Sequence, residues 1–184
     1  MSARLSYRQW HIPFEEDRLT LREAHTRLKA VGEGAQSIPL MVQLVENPKF
    51  RVPGFDLFHG RVDLEQHDYI HLILGRGLLP KDEAFAIGFT MGSTNQVGAT
   101  EERLFRWITR HLYPNVYRFH DSDIRVFRDA VRLGFISDCK PLDQIEFRQY
   151  LDVSLAEIRQ EIGLEKDLIL VYYAIEKRRF PGAP

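Results

Sequence analysis

Apolar residues return at helical spacing along most of this chain, and that period constrains its fold more than any other feature. Leu104, Phe105, Ile108 and Leu112 line one face of a helix, and Ile124, Phe127, Val131 and Phe135 line another. Phe147, Leu151, Leu155, Ile158 and Ile162 repeat the pattern, and Gly163 supplies a C-cap. Glycine and proline cut the remainder into segments of helical length. Leu19 to Val31 reads as a helix stopped by Gly32 and Gly34, and Ile38 to Val45 as a shorter one ended by Asn47-Pro48. Pro48 to Gly60 reads as loop, with Pro53-Gly54 marking a turn. Leu64 to Leu74 is the next helix, broken by Gly75, Gly77 and Pro80, and a further one carries Glu83 to Met91. Thr100 suits an N-cap, but Arg103 stands where a capping box wants glutamate or glutamine. Asp167 to Lys177 contains a strand-like Leu-Ile-Leu-Val-Tyr-Tyr run with no obvious partner strand, so it is expected as helix or irregular structure. The expected fold is all-α, a single-domain bundle of six or seven helices spanning residues 1–184.

Composition narrows the class of function. With 184 residues there is room for one domain with a substantial core. Lys+Arg 25 against Asp+Glu 26 leaves no net field favouring nucleic acid, so no nucleic-acid partner is expected. The single cysteine, Cys139, cannot form an internal disulfide and reads as a buried or inert thiol. The longest apolar runs are under half the roughly 20 residues a membrane-spanning helix needs, and the start lacks the marks of a targeting segment. A cytoplasmic protein is expected, with at most peripheral membrane contact through Lys177-Arg178-Arg179, and homo-oligomerisation is left open.

The chemistry concentrates in one stretch. His67-Asp68-Tyr69-Ile70-His71 is followed by eleven residues and then Glu83. On an α-helix, positions i and i+4 lie about 40° apart, so His67 and His71 point the same way and can hold one divalent ion. Asp68 lies about 60° round the helix from His71, close enough for a third ligand or a neighbouring base. Glu83, after the Gly75/Gly77/Pro80 reversal, can face back as the closing carboxylate. Two nitrogens with carboxylate oxygens suit zinc or iron(II) better than magnesium or calcium. Histidine pairs at this spacing also occur on solvated helix faces without metal. His11, His25, His59, His111 and His120 lack ligand spacing and read as surface or capping residues. His120-Asp121 repeats the His-Asp pair of phosphohydrolases without their partner pattern, and Asp121-Ser122-Asp123 reads as a helix cap.

HDxxH, eleven residues and then Glu resembles the signature of the ubiquinone (coenzyme Q) biosynthesis family of the fourth COQ protein. The similarity runs through His67, Asp68, His71, Gly75 and Glu83, then Phe147 to Tyr150, Ser154-Leu155 and Ile158 to Leu164, about residues 64–164. The resemblance implies an all-α metalloprotein acting on the aromatic head of a polyprenylated quinone precursor. It further implies oxidative decarboxylation and hydroxylation at C1, and association with other quinone-biosynthesis enzymes. Asp68 or Glu83, whichever is not held by the ion, would move a proton. Two other readings stand beside it: a metal-dependent hydrolase with Asp68 in the place of the HExxH glutamate, and a non-catalytic lipid-binding scaffold. The first reading also expects an apolar cleft beside the ion, lined by Ile70, Leu74, Phe85, Ile87 and Phe89.

Overall fold

The structure, a computed structural model, describes residues 10–32, 64–94 and 120–180. These residues form α1 (Leu21–Gly32), α2 (Leu64–Leu74), α3 (Pro80–Ser93), α4 (Asp121–Ile136), α5 (Leu155–Glu161) and α6 (Lys166–Arg179). Two short 3-10 turns, Leu142–Gln144 and Phe147–Tyr150, lie between α4 and α5. Among the described residues there is no strand, only an isolated antiparallel bridge between Thr20 and Ser154. The expected all-α fold is borne out. The helices expected at Ile38–Val45 and Leu104–Leu112, the Pro48–Gly60 loop and the Thr100 cap lie outside the described residues. No described helix is long and apolar enough to cross a membrane.

Local chemistry explains the helix starts. Thr20 Oγ1 accepts the Glu23 N–H at 3.2 Å while the Glu23 carboxylate accepts the Thr20 N–H at 2.9 Å, a complete capping box for α1. Ser154 and Glu157 make the same reciprocal pair for α5, at 3.3 and 3.2 Å. The two caps are pinned together, because Leu21 N–H donates to Val153 O (3.1 Å) and Leu155 N–H to Leu19 O (2.8 Å). This corrects the expectation of one helix through Phe147 to Ile162. The Leu151 and Val153 carbonyls accept from Arg22 and Leu21 instead of continuing a helix, and Ser154 restarts one. Helical spacing survived in the sequence because Phe147, Leu155, Ile158 and Ile162 are all buried on the same core.

The strand-like segment is the helix α6. Ile169, Tyr172, Tyr173 and Glu176 recur at i, i+3, i+4 and i+7 and turn one face inward, while Val171 is 60% exposed. A strand at this place would leave its backbone groups without a ladder.

One hydrophobic cluster joins the segment before α1 (Trp10, Ile12, Phe14) to residues of all six helices. Helices α3 and α4 lie in especially close contact. A Cβ on Gly92 would come 2.2 Å from Val131 O, and one on Gly134 would come 2.4 Å from Phe89 O. Only glycine permits that approach of backbones. Ser93 is buried at the end of α3, where its Oγ accepts the Leu142 N–H at 3.2 Å and ties the helix to the first 3-10 turn. At the start of α4 the Asp123 carboxylate accepts the His120 N–H at 2.7 Å, the capping role expected of that acidic stretch.

Candidate metal centre

The helix that carries the two histidines is held firmly at its C-terminal end. Four terminal carbonyls of an α-helix ordinarily lack intrahelical partners. Here Gly75, at φ 65°, makes a Schellman turn in which Gly75 N–H donates to Leu72 O (3.2 Å) and Arg76 N–H to His71 O (2.9 Å). Arg159 of α5 reaches across with Nε to Ile73 O (2.9 Å), and the Tyr173 hydroxyl of α6 donates to Leu74 O. All four carbonyls are thereby satisfied. Arg159 also donates to Phe14 O at 2.7 Å and lies 3.7 Å from the centre of the Phe14 ring, so the guanidinium works as a structural clamp.

The reversal after α2 brings Glu83 back over the histidines. Pro80 opens α3, and the Asp82 carboxylate accepts the Leu79 N–H at 3.2 Å. His67 Nε2 lies 2.9 Å from Glu83 Oε1, His71 Nε2 lies 3.2 Å from Glu83 Oε2, and the two Nε2 atoms are 3.3 Å apart. For a metal–nitrogen distance near 2.0–2.1 Å, the edge of a tetrahedron of ligands is about 3.3 Å. With one ligand atom from each residue, all within 4.8 Å of one another, the three side chains could hold one ion. All three residues are buried, at 6%, 1% and 8% exposure for His67, His71 and Glu83.

The surroundings orient the donors. His71 Nδ1 is 2.8 Å from Gly77 O, an arrangement that places the proton on Nδ1 and turns the Nε2 lone pair toward Glu83 and His67. Gly77 can be nothing larger here, since a Cβ would sit 2.5 Å from Trp10 O. Burial alone would lower the His71 pKa, but the bonded Glu83 carboxylate, with Asp82 behind it, raises it above the ordinary value. Burial alone would raise Glu83, yet the charges and hydrogen bonds of His67 and His71 hold it well below the usual carboxylate range. Two imidazole nitrogens and a carboxylate form a donor set suited to zinc or iron(II).

Three of the four expected ligands are thus brought together, and Asp68 is not among them. The angle of about 60° that separates it from His71 carries its carboxylate toward α1, where it lies 3.4 Å from His25 Nε2. His25 in turn is buried, not on the surface or at a cap, and meets the Tyr69 ring edge-on with centroids 4.7 Å apart. His11 is exposed and His120 is an N-cap, as expected, while His59 and His111 lie outside the described residues. The apolar residues expected to wall a cleft are packed instead. Ile70, Leu74, Phe85 and Phe89 are at most 2% exposed, and Phe85 stacks on Phe89 and Tyr172 at 5.9 and 5.3 Å. Cys139 is buried, and burial pushes its thiol up to about 12, which leaves it unreactive.

A second charged cluster, not anticipated from the sequence, adjoins the first. The buried Arg76 guanidinium forks onto Glu176 at 2.9 and 2.6 Å, lies 3.4 Å from Asp82, and is sandwiched between the Phe85 and Tyr173 rings at 3.8 and 4.0 Å. Arg76 and Glu176 are a hundred residues apart, so no local spacing could reveal the pair. In comparisons with known proteins, no family model, no curated protein and no solved structure matches this chain.

Proposed function

We propose that His67, His71 and Glu83 hold one divalent ion, zinc or iron(II), and that the protein modifies the aromatic head of a polyprenylated quinone precursor. The reaction assigned to it is replacement of the C1 carboxylate by hydroxyl, in company with other quinone-biosynthesis enzymes. The carboxylate leaves as carbon dioxide, dioxygen takes up the two electrons and leaves as hydrogen peroxide, and water balances the atoms. One observation carries the reading: three buried donor atoms converge within 4.8 Å of one another, from residues spaced as HDxxH, eleven residues and Glu. Such an ion would supply Lewis acidity and, as iron(II), a route to dioxygen.

The chain's own residues divide the remaining work. Gly77 O fixes the tautomer of His71, and Glu83 brings the negative charge that attracts a cation to the site. Asp68 stands outside the ligand triangle, with its side chain 26% exposed and paired with His25, so it is the carboxylate assigned to proton transfer. That position argues against the hydrolase reading, in which Asp68 would have to reach a water on the ion.

Burial of all three ligands and the packing of Phe85 and Phe89 favour a second reading, an ion that only ties α2 to α3 in a non-catalytic scaffold. Metal analysis of the purified protein, followed by an assay for carbon dioxide release from a prenylated 4-hydroxybenzoate, separates the two. Bound iron with dioxygen-dependent release supports the enzyme. Stoichiometric zinc with no release under any metal leaves the scaffold.

A further inference from the structure

Away from the metal centre, α4 and the last turn of α6 enclose a groove of about 350 Å³ lined by Arg125, Arg128, Asp129, Arg132, Arg179 and Phe180. Residues 125, 128, 129 and 132 share one face of α4, because they recur at i, i+3, i+4 and i+7. Helix α6 brings the fourth arginine to them: Arg179 lies 3.0 Å from Asp129, and Arg132 approaches the same carboxylate at 4.0 Å. Four guanidinium groups therefore surround one concavity that contains a single carboxylate. Among the described residues Arg125 has no ion pair. Arg132 and Arg179 are 68% and 58% exposed, so their remaining N–H donors face the groove's solvent.

We propose that this groove binds the phosphate group of an anionic ligand. A row of like charges on an open helix face is ordinarily just solvated, and water screens its self-repulsion. Here the charges come from two helices and meet in a hollow whose volume reaches the lower end of small-ligand sites, about 300 Å³. Guanidinium is the side chain whose planar fork matches phosphate oxygens two at a time, and the lining contains arginine with no lysine. Asp129 fits the same picture, since it holds Arg179 across the groove while the lining as a whole stays positively charged. Phe180, half-buried against the core, gives the organic part of such a ligand an apolar wall. The proposal does not depend on the metal centre, whose ligands are on α2 and α3.

Phosphate could arrive on a free organic phosphate or on a lipid headgroup, and two probes separate these sources. Binding of inorganic pyrophosphate to the full chain is measured by calorimetry at about 150 mM salt, where diffuse attraction is screened beyond about 8 Å. Flotation is run in parallel with phosphatidylcholine vesicles, with and without about one-fifth phosphatidic acid. We expect at least one probe to bind and the exposed pair R125A/R132A to weaken it by about tenfold or more, as loss of bidentate contacts requires. The control R18A/R27A removes the same charge elsewhere and should leave binding unchanged. Pyrophosphate alone would identify a free phosphate ligand, and acidic vesicles alone a lipid headgroup. Binding of both would show that the phosphate is recognised in either setting. Failure of both probes, retention of binding in R125A/R132A, or an equal loss in R18A/R27A would overturn the proposal.

Discussion

Asp82 and Glu83 are neighbours in sequence, yet they belong to two buried clusters of opposite character. Around Asp82 the charges cancel: Arg76 forks onto Glu176 and also meets Asp82, Lys81 lies 3.5 Å from Glu176, and two aromatic rings cover the guanidinium faces. Around Glu83 donors are scarce when the histidines are neutral, because His71 carries its proton on Nδ1 and only His67, as its Nε2–H tautomer, can donate to the carboxylate. Two Nε2 atoms and two carboxylate oxygens crowd together within 2.9–3.3 Å with at most one proton among them, so the cluster has room for a further cation. That cation is a proton in the ion-free protein or a metal in the loaded one. The comparison shows that buried charge alone does not mark a functional site. What distinguishes the second cluster is that its convergent lone pairs outnumber the donors the protein brings to them.

The largest effect expected concerns the acceptor cluster. At zinc about a thousandfold above its Kd, binding should stabilise the wild type by about 4 kcal/mol, and H67A/H71A should lose that gain together with stoichiometric metal. One metal per chain retained in the double variant would place the ion elsewhere and end the distinction drawn above. Next in size is the self-neutralising cluster. Glu176→Ala strips the buried Arg76 of its bidentate partner and should cost about 3 kcal/mol in urea unfolding, leaving metal stoichiometry unchanged. A folded E176A protein that no longer bound metal would merge the two clusters into one.

A pH series sharpens the contrast further. In the ion-free protein the raised pKa of His71 contributes stability that is complete below its unfolded value, about 6.5, and is lost as pH rises through the folded value. The lowered pKa of Glu83 contributes stability present above about 4.5 and lost as pH falls through its depressed folded value. Metal reverses the first of these slopes, because imidazole must be neutral to ligate. Zinc affinity should begin to weaken above about pH 6.5 as pH falls, since the proton is held more tightly than usual. Thermal melts with and without zinc between about pH 5 and 8 should therefore slope in opposite directions, and parallel curves would refute the site. The smallest effect is a control distant from both clusters. Ser154→Ala removes one cap and should cost about 1 kcal/mol without altering metal binding, as measured by urea unfolding and zinc titration.

Helix α2 was legible to the residue, because Leu64–Leu74 is bounded by a helical apolar period and by Gly75, whose left-handed turn few other residues adopt. The histidine pair was equally legible, since i and i+4 share a face of any α-helix. Glu83 was anticipated from its place in a helix start after a reversal. The break before α5 had a visible signal in Ser154-x-x-Glu157, but the uninterrupted apolar spacing from Phe147 to Ile162 outweighed it. Asp68 was the opposite case. Helix geometry allowed it to turn either way, and only the approach of His25 from α1 decided the matter.

Sequence alone determined what depends on neighbours within a turn or two: the helical periods, the caps, the Gly75 stop and the shared face of His67 and His71. Its physical basis is local, because backbone geometry links residues three and four apart whatever else the chain does. Tertiary structure alone decided which groups meet across long separations. Arg159 came to cap the helix of the ligands, Arg76 to pair with Glu176, and Arg179 to close a groove with α4. Those choices follow from packing one contiguous core, where each buried polar group must find a partner wherever the fold brings one within reach.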